Sequence, residues 1–345
     1  LFAAVGSALA ASPMIAAADV SVGGHAQVEY YNGETATTGS TTSKYNGLID
    51  NARGRLWVNA SEDLGGGMKA MARYEFSVDT ANSGQSAANG NGSVGLDTGL
   101  RTFDSRTREK YVGLSGGFGT VTAGNLHGAY KRLGGVRWDP VNATVLEARS
   151  NGGQSGSGDA NATFTHNGFV PGAVKWESGA VTGPVNVEVL IAPNKNSVAG
   201  LDTADGTDTQ FGASFKPIPG LEVMAAIANN KQTPSSTNTA QKATKFGARY
   251  SMGPHTFWAQ IEDVDTNSTC VTTALSCGST NTVSSTGVTT ATKGEMKYNW
   301  FGYSLKAGNN TFVGQYANSS REAAGSTDVD VTFLSLAVLH SLSKN

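Results

Sequence analysis

Basic side chains occupy one alternating set of positions in three separate stretches of the sequence, and in two of these stretches they recur at every second residue. In a β-strand, residues two positions apart point to the same face, so these side chains line one face of three strands. Neighbouring strands lie about 4.8 Å apart, and like charges at that spacing repel unless water or acidic groups face them. A cluster of like charges is explained if these residues create an electric field across a narrow water-filled path. The residues concerned are Arg53, Arg55, Arg73, Arg106, Arg108 and Lys110.

Two acidic residues share the predicted parity of these cations. Glu75 alternates with Arg73, and Glu29 occupies the equivalent face of the first strand. We expect both carboxylates to weaken the positive field along this face. The alternative is that the arginines are simply solvated or paired with carboxylates of the loops.

The elements that must position these side chains are predicted strands of about ten residues with period-two apolarity. In the first of them Val20, Val22, Ala26, Val28 and Tyr30 share one face. The pattern continues past residue 330, giving about fourteen strands, the last from Val329 to about Leu342. Short turns rich in glycine or proline alternate with long polar linkers. The long linkers lie near 32–47, 80–100, 127–162, 193–207, 231–241, 264–293 and 318–327.

This asymmetry of the linkers selects between two all-β architectures. A soluble β-sandwich also alternates apolar and polar residues. Short turns at one end and long loops at the other are typical of a transmembrane β-barrel. No run of about 18 apolar residues follows position 18, so a membrane-spanning helix is not predicted. The sequence therefore predicts an antiparallel transmembrane β-barrel over residues 19–345.

Composition is consistent with export and gives no sign of nucleic-acid binding. The 345 residues include 44 glycines, only 15% are charged, and the net charge is -2. Such a balance offers no basic surface for nucleic acid. The first 18 residues are small and apolar and end in three alanines before Asp19, as at a signal-peptidase site. We interpret 1–18 as part of a signal peptide, the alternative being a short buried helix.

Cys270 and Cys277 are the only cysteines, and they lie in a stretch rich in serine and threonine. In an exported chain we expect them to form a disulfide with each other, the alternative being two free thiols. No His, Asp or Glu lies between Asp265 and Lys293, so a metal site is not predicted there.

An enzyme and an adhesin are the rival functional classes. No Ser/His/Asp set is marked in the sequence, since GLSGG at 113–117 fits G-x-S-x-G but lies at a predicted hairpin turn, and SGGFG at 115–119 lacks the lysine of a phosphate-binding loop. We therefore predict no catalytic residues, no cofactor and no metal. The long Ser/Thr-rich loops leave an adhesive or purely structural barrel open.

Two long motifs carry a resemblance to a known family. SEDLGGGMKAMARYEF at 61–76 and YVGLSGGFGTVTAGN at 111–125 resemble the general trimeric porins of proteobacteria. The resemblance implies a homotrimer in the outer membrane, in contact with lipid and lipopolysaccharide, that lets small hydrophilic solutes and ions diffuse passively. Family members have sixteen strands, and LAVLHSLSKN is similar to the end of their fourteenth. We expect a final hairpin to be missing, the alternative being a natural fourteen-strand barrel.

The resemblance also assigns roles to residues of the predicted pore. It implies that Arg55 and Arg108 belong to a basic ladder at the narrowest point, and that the loop 127–162 folds inward opposite them. That loop carries the acids Asp139, Glu147 and Asp159 beside the cations Lys131, Arg132, Arg137 and Arg149. A basic wall and a slightly positive loop predict a mild preference for anions.

Overall fold

The computed structural model describes residues 18–35, 43–49, 54–78, 80, 108–149, 151–155, 167–179, 183–193, 207–230, 237–270, 290–323 and 329–342. Most of these residues lie in antiparallel strands. The strands are β1 (Asp19–His25), β2 (Glu29–Thr35), β3 (Ser43–Ile49), β4 (Arg55–Gly65), β5 (Met68–Ser77), β6 (Lys110–Gly116), β7 (Gly119–His127), β8 (Phe169–Glu177), β9 (Val185–Ala192), β10 (Asp208–Phe215), β11 (Leu221–Asn230), β12 (Thr237–Met252), β13 (His255–Cys270), β14 (Thr290–Ala307), β15 (Asn310–Ala323) and β16 (Val329–His340).

Fourteen of these strands form one sheet in which neighbours in the chain are neighbours in space. The order runs from β1 to β4 and then consecutively to β16, and every pairing is antiparallel. This is the connectivity of an up-and-down barrel wall. The hairpin of β2 and β3 forms a separate two-stranded sheet.

Glycines at the short turns explain why the strands reverse where they do. Gly308 joins β14 to β15 with a φ of 60°, and a Cβ at this position would meet nothing within 4 Å. The left-handed backbone is therefore the reason for glycine there, since other L-residues adopt it at a cost. Gly66 and Gly67, with φ of 61° and 77°, make the turn from β4 to β5 in the same way.

The two faces of the sheet are inverted relative to a soluble protein. Phe301, Tyr316 and Leu334 lie side by side on β14, β15 and β16 and are 46%, 47% and 69% exposed. The opposite face buries amide side chains such as Gln260 and Gln315. A water-soluble sheet would bury the aromatic residues and expose the glutamines. The apolar face is therefore suited to lipid, and the polar face to an aqueous interior.

The structure confirms the predicted fourteen strands of the main sheet but corrects the limits of the first one. The stretch from Val20 to Tyr30 is not a single strand, because β1 ends at His25 and β2 pairs only with β3. In that hairpin Tyr30 lies directly opposite Leu48. This apolar cross-strand pair favours a hairpin inside a segment that its polar composition had suggested was a loop.

Several predicted linkers are partly strand. β12 begins at Thr237, β13 continues to Cys270, β14 begins at Thr290 and β15 continues to Ala323. Backbone hydrogen bonds between two antiparallel strands do not require apolar side chains. The ladders therefore extend through serine-, threonine- and asparagine-rich sequence, where the alternation of apolar residues gives no signal.

The segment after β7 turns back against the polar face of the sheet. It contains a one-turn helix α1 (Ala129–Arg132) and a 3-10 helix (Gly135–Arg137). Gly134 and Gly135 have φ of 61° and 45°, which produces the sharp bend that the Gly-Gly pair predicts. We call residues 128–155, with 150 undescribed, the inner loop. No helix among the described residues is long and apolar enough to cross a membrane.

Candidate functional site: the charged wall and the inner loop

Arg55 and Arg73 lie on the polar face and share one carboxylate. Arg55 pairs with Ser77 and Arg73 pairs with Asn59 across β4 and β5, so both belong to the inward parity. Glu75 lies between them, with Oε1 3.4 Å from Nε of Arg55 and Oε2 2.8 Å from Nη2 of Arg73. Glu75, which was predicted on the same face as these arginines, thus balances part of their positive charge.

Glu109 is an acidic wall residue that the sequence analysis missed. Its Oε2 lies 3.6 Å from Nε of Arg73, and its Oε1 lies 3.5 Å from Nδ1 of His127. The backbone N-H of Glu75 donates to the Glu109 carbonyl at 3.0 Å. This backbone hydrogen bond aligns Glu109 with β5, so that the Glu109 side chain points inward.

Arg108 reaches the same wall from just before β6. Its Nε donates to the Ser77 hydroxyl, and its guanidinium carbon lies 6.0 Å from the centre of the Phe169 ring. Nζ of Lys131, from the inner loop, lies 4.5 Å from the same ring. An aromatic face between two cations attracts both of them, so Phe169 helps to hold Arg108 and Lys131 near each other.

The inward orientation predicted for Lys110 is wrong. Lys110 pairs with Tyr74 across β5 and β6, while Arg73 pairs with Tyr111. Directly opposed residues share a face, so Lys110 points outward with Tyr74, and Tyr111 points inward. The prediction failed because it assumed that the alternation of Arg106 and Arg108 continues unchanged into β6.

Arg53 and Arg106 lie outside the described residues, as does Cys277 of the predicted disulfide.

Asp139 lies on the inner loop, but its carboxylate does not face open water. It is 6% exposed and accepts hydrogen bonds from Val141 N at 3.0 Å and Ala148 N at 2.8 Å. Gln315 Nε2 on β15 donates to the same carboxylate at 2.8 Å, and its Oε1 accepts from Trp300 Nε1 at 2.8 Å. Burial raises the pKa of Asp139 from 3.8 to about 6, although these hydrogen bonds act to lower it.

Glu147 is likewise used inside the fold of the loop. It is 4% exposed, accepts a hydrogen bond from Ala143 N at 2.8 Å and lies 3.6 Å from Nη2 of Arg149. Ala143 has a φ of 71°, which is uncommon for a residue with a Cβ. The hydrogen bond that Glu147 accepts from Ala143 N therefore stabilises a turn with a strained backbone.

Glu29 holds this turn from the other side. Its Oε2 accepts a hydrogen bond from Val145 N at 3.0 Å, and Gln27 Nε2 donates to the Ala143 carbonyl at 2.6 Å. The inner loop thus extends from β7 to the segment that joins β1 and β2. Glu29 lies in β2, outside the fourteen-stranded sheet, and binds the backbone of the inner loop.

The inner loop exposes cations. The side chains of Arg132 and Arg137 are 39% and 47% exposed. Arg132 lies 3.0 Å from Glu177 and 3.8 Å from Glu188, so part of its charge is paired. Arg137 lies 3.9 Å from Glu222, which is a weak contact. Asp139 and Glu147 are buried. The most exposed of these charged side chains of the described loop are therefore the positive ones, Arg132 and Arg137.

No group of three or more His, Cys, Asp or Glu side chains in the described part of the chain is arranged to hold a metal ion.

Apolar side chains on one face of the sheet, charged and amide side chains on the other, and a loop folded against the polar face are the features of a transmembrane β-barrel. A sequence profile of Gram-negative porins matches residues 3–345. The chain therefore belongs to the Gram-negative porin family.

Related proteins are similar to parts of the chain. It is 35% identical over 138 residues to the major outer membrane protein P.IB of Neisseria lactamica, covering 39% of this chain and 34% of that protein. The corresponding protein of Neisseria gonorrhoeae is 32% identical over 129 residues, which cover 36% of this chain and 32% of that protein. The chain thus matches about a third of the length of these relatives, 34% and 32%.

Two solved structures have a similar fold. An anion-selective porin from Comamonas acidovorans has a TM-score of 0.67 at 18% identity, covering 95% of this chain and 85% of that one. The trimer form of OmpT from Vibrio cholerae has a TM-score of 0.59 at 13% identity, with 95% and 85% covered. At these identities the likeness concerns the fold.

Proposed function

We propose that this protein forms a water-filled channel in the outer membrane of a Gram-negative bacterium, for passive diffusion of small hydrophilic solutes and ions. We further propose a mild preference for anions. The observation that carries this preference is the division of charge on the inner loop, where Asp139 and Glu147 are buried and Arg132 and Arg137 reach water. Charges that face an aqueous constriction decide which ions pass.

The wall opposite the inner loop supports the same preference. Arg55, Arg73 and Arg108 lie on the polar face, and Glu75 and Glu109 neutralise only part of their charge. In this proposal these arginines form the basic side of the constriction, with Arg53 and Arg106 as further candidates. Glu29, Asp139 and Glu147 hold the loop in place and are not the acidic side of the pore. The solved relative from Comamonas acidovorans is described as anion-selective.

Reversal potentials in planar bilayers across a salt gradient test the preference. Arg55→Ala and Arg108→Ala should each lower the anion-to-cation permeability ratio by roughly fourfold, because a unit charge about 10 Å away in water lowers the energy of an anion and raises that of a cation by about 0.4 kcal/mol each. Lys110→Ala is the matched control, since Lys110 points outward and should leave the ratio unchanged.

Other results would change the proposal in different ways. Clear cation preference in the parent protein would overturn the anion proposal while leaving the channel. Absence of conductance would favour a plugged or structural barrel.

We also propose a homotrimer in contact with lipid and lipopolysaccharide, since the OmpT structure is a trimer form. A mass in mild detergent equal to one chain would contradict the trimer.

A further inference from the structure

Glu262 on β13 binds both ends of the described inner loop. Its Oε2 accepts hydrogen bonds from the Tyr130 hydroxyl at 3.0 Å, from Ser155 N at 3.3 Å and from the Ser155 hydroxyl. Tyr130 lies in α1, directly after β7, and Ser155 is the last described residue of the loop. One carboxylate therefore joins two points of the loop that are far apart in sequence.

The second oxygen of Glu262 is tied to a third point of the loop. Oε1 accepts a hydrogen bond from Gln260 Nε2 at 2.6 Å, and Gln260 Oε1 accepts from Gly135 N at 2.7 Å. Gln260 is 1% exposed and Glu262 is 4% exposed. Water therefore does not compete strongly for these bonds, and hydrogen bonds to a buried charged group are among the stronger ones.

A buried cation accompanies this carboxylate. Lys245 lies directly opposite Glu262 across β12 and β13 and is fully buried, with Nζ 4.7 Å from the centre of the Tyr130 ring. Its Nζ has no hydrogen-bond partner among the described residues. Lys245 and Glu262 balance each other's charge, so removal of either would leave the other buried and uncompensated.

We infer that Glu262 is the positioning residue that keeps the base of the inner loop closed against the wall, and thereby keeps the channel current steady. Without the acceptor oxygens of Glu262, Tyr130 and Ser155 lose their shared partner, and Gln260, which accepts the hydrogen bond from Gly135 N, loses the contact that orients it. The loop segment that carries Arg132 and Arg137 is then free to move relative to the opposite wall. This inference rests on the proposed channel function.

Single-channel recordings of the full chain in planar bilayers test the role of Glu262. Glu262→Ala should increase the population of conductance levels other than the main one by at least roughly tenfold, because losing a single hydrogen bond to a buried charge has about that effect and Glu262 accepts several. Tyr130→Phe, which removes one of the bonds, should give a smaller increase in the same direction. Asp263→Asn is the matched control, because Asp263 is the exposed neighbour on the opposite face and should conduct like the parent.

A second variant separates loop positioning from folding. Glu262→Ala leaves Lys245 buried without its counter-charge and therefore risks misfolding. Lys245→Met combined with Glu262→Met removes both charges and both acceptor oxygens while preserving much of the side-chain volume, so the barrel should fold. If Glu262 positions the loop, this double variant still shows the additional levels, since the acceptor oxygens are gone.

The possible results distinguish the inference from the function on which it rests. Steady parental conductance in both Glu262→Ala and the double variant would overturn the positioning role and leave the channel intact. If the double variant is steady while Glu262→Ala is noisy, the unpaired lysine is the cause and the positioning role is again overturned. Failure of the parent to conduct would overturn the proposed function, and the inference with it.

Discussion

Charge by itself does not tell which residues face the water of a channel. Asp139 and Arg137 lie two positions apart on the inner loop, yet Asp139 is 6% exposed while the Arg137 side chain is 47% exposed. Carboxylates accept several backbone N-H groups at once, so an irregular loop uses them to satisfy its own backbone. A guanidinium only donates and has a long apolar stem, which favours a position at the surface of the loop.

Asp139 gives the inner loop a predictable dependence on pH. Its pKa in the folded protein is about 6 against an ordinary 3.8, so the folded state binds the proton more tightly than the unfolded chain. Burial of the ionised carboxylate therefore costs stability above pH 6, and this cost disappears as the pH falls from about 6 to 3.8.

The comparison of Asp139→Asn with the parent should reveal this cost. The stability of the parent relative to Asp139→Asn should rise by up to about 3 kcal/mol between pH 7 and pH 4. The measurement is urea unfolding from lipid vesicles at a series of pH values. Asn142→Ser, at an exposed position of the same loop, controls for local disturbance. A difference that stays constant with pH would contradict the assignment.

At the scale of single elements, the strands were predictable where their side chains alternate and their turns need glycine. Gly308 reverses β14 into β15 at a positive φ that a side chain disfavours. The ends of β13 and β14 toward residues 270 and 290 were not predictable, because polar sequence leaves the choice between loop and ladder to the partner strand.

Gly308→Ala should lower the free energy of unfolding by about 1 to 2 kcal/mol, because it forces a residue with a Cβ into the left-handed region. Gly314→Ala on β15 is the matched control. Its added Cβ would meet only a Leu336 side-chain atom, at an ordinary 3.5 Å. Replacement of glycine within a strand is favourable on entropic grounds, so this variant should be neutral or slightly stabilising. Equal destabilisation in urea titrations would refute the turn argument.

For the whole molecule, the inverted distribution of side chains determines whether the folded protein is stable in water or in a lipid bilayer. The outward face presents Phe301, Tyr316 and Leu334, while the inward face buries glutamines and ion pairs. Water would solvate the polar face well but not the apolar one, whereas a bilayer around an aqueous interior suits both faces.

Phe301→Arg tests the lipid-facing side of this arrangement. A charged side chain near the middle of the membrane costs about 2 to 4 kcal/mol, so folding into vesicles should fail or become strongly unfavourable. Lys297→Arg is the control, since Lys297 lies on the same strand, is exposed and is already charged. Equally efficient folding of both variants would show that Phe301 does not face lipid.

Alternation of side chains and glycine turns are local properties that each segment carries alone, so the architecture is predictable from the sequence. Arg55, Arg73 and Glu75 are likewise predictable as one inward group, because these residues lie within regular strands. The path of the inner loop, the orientation of Lys110 and the grouping of Glu262 with Tyr130 and Ser155 emerge only in the folded protein. Those features depend on strand register and on contacts between residues far apart in the chain, and a local pattern of residue types contains neither.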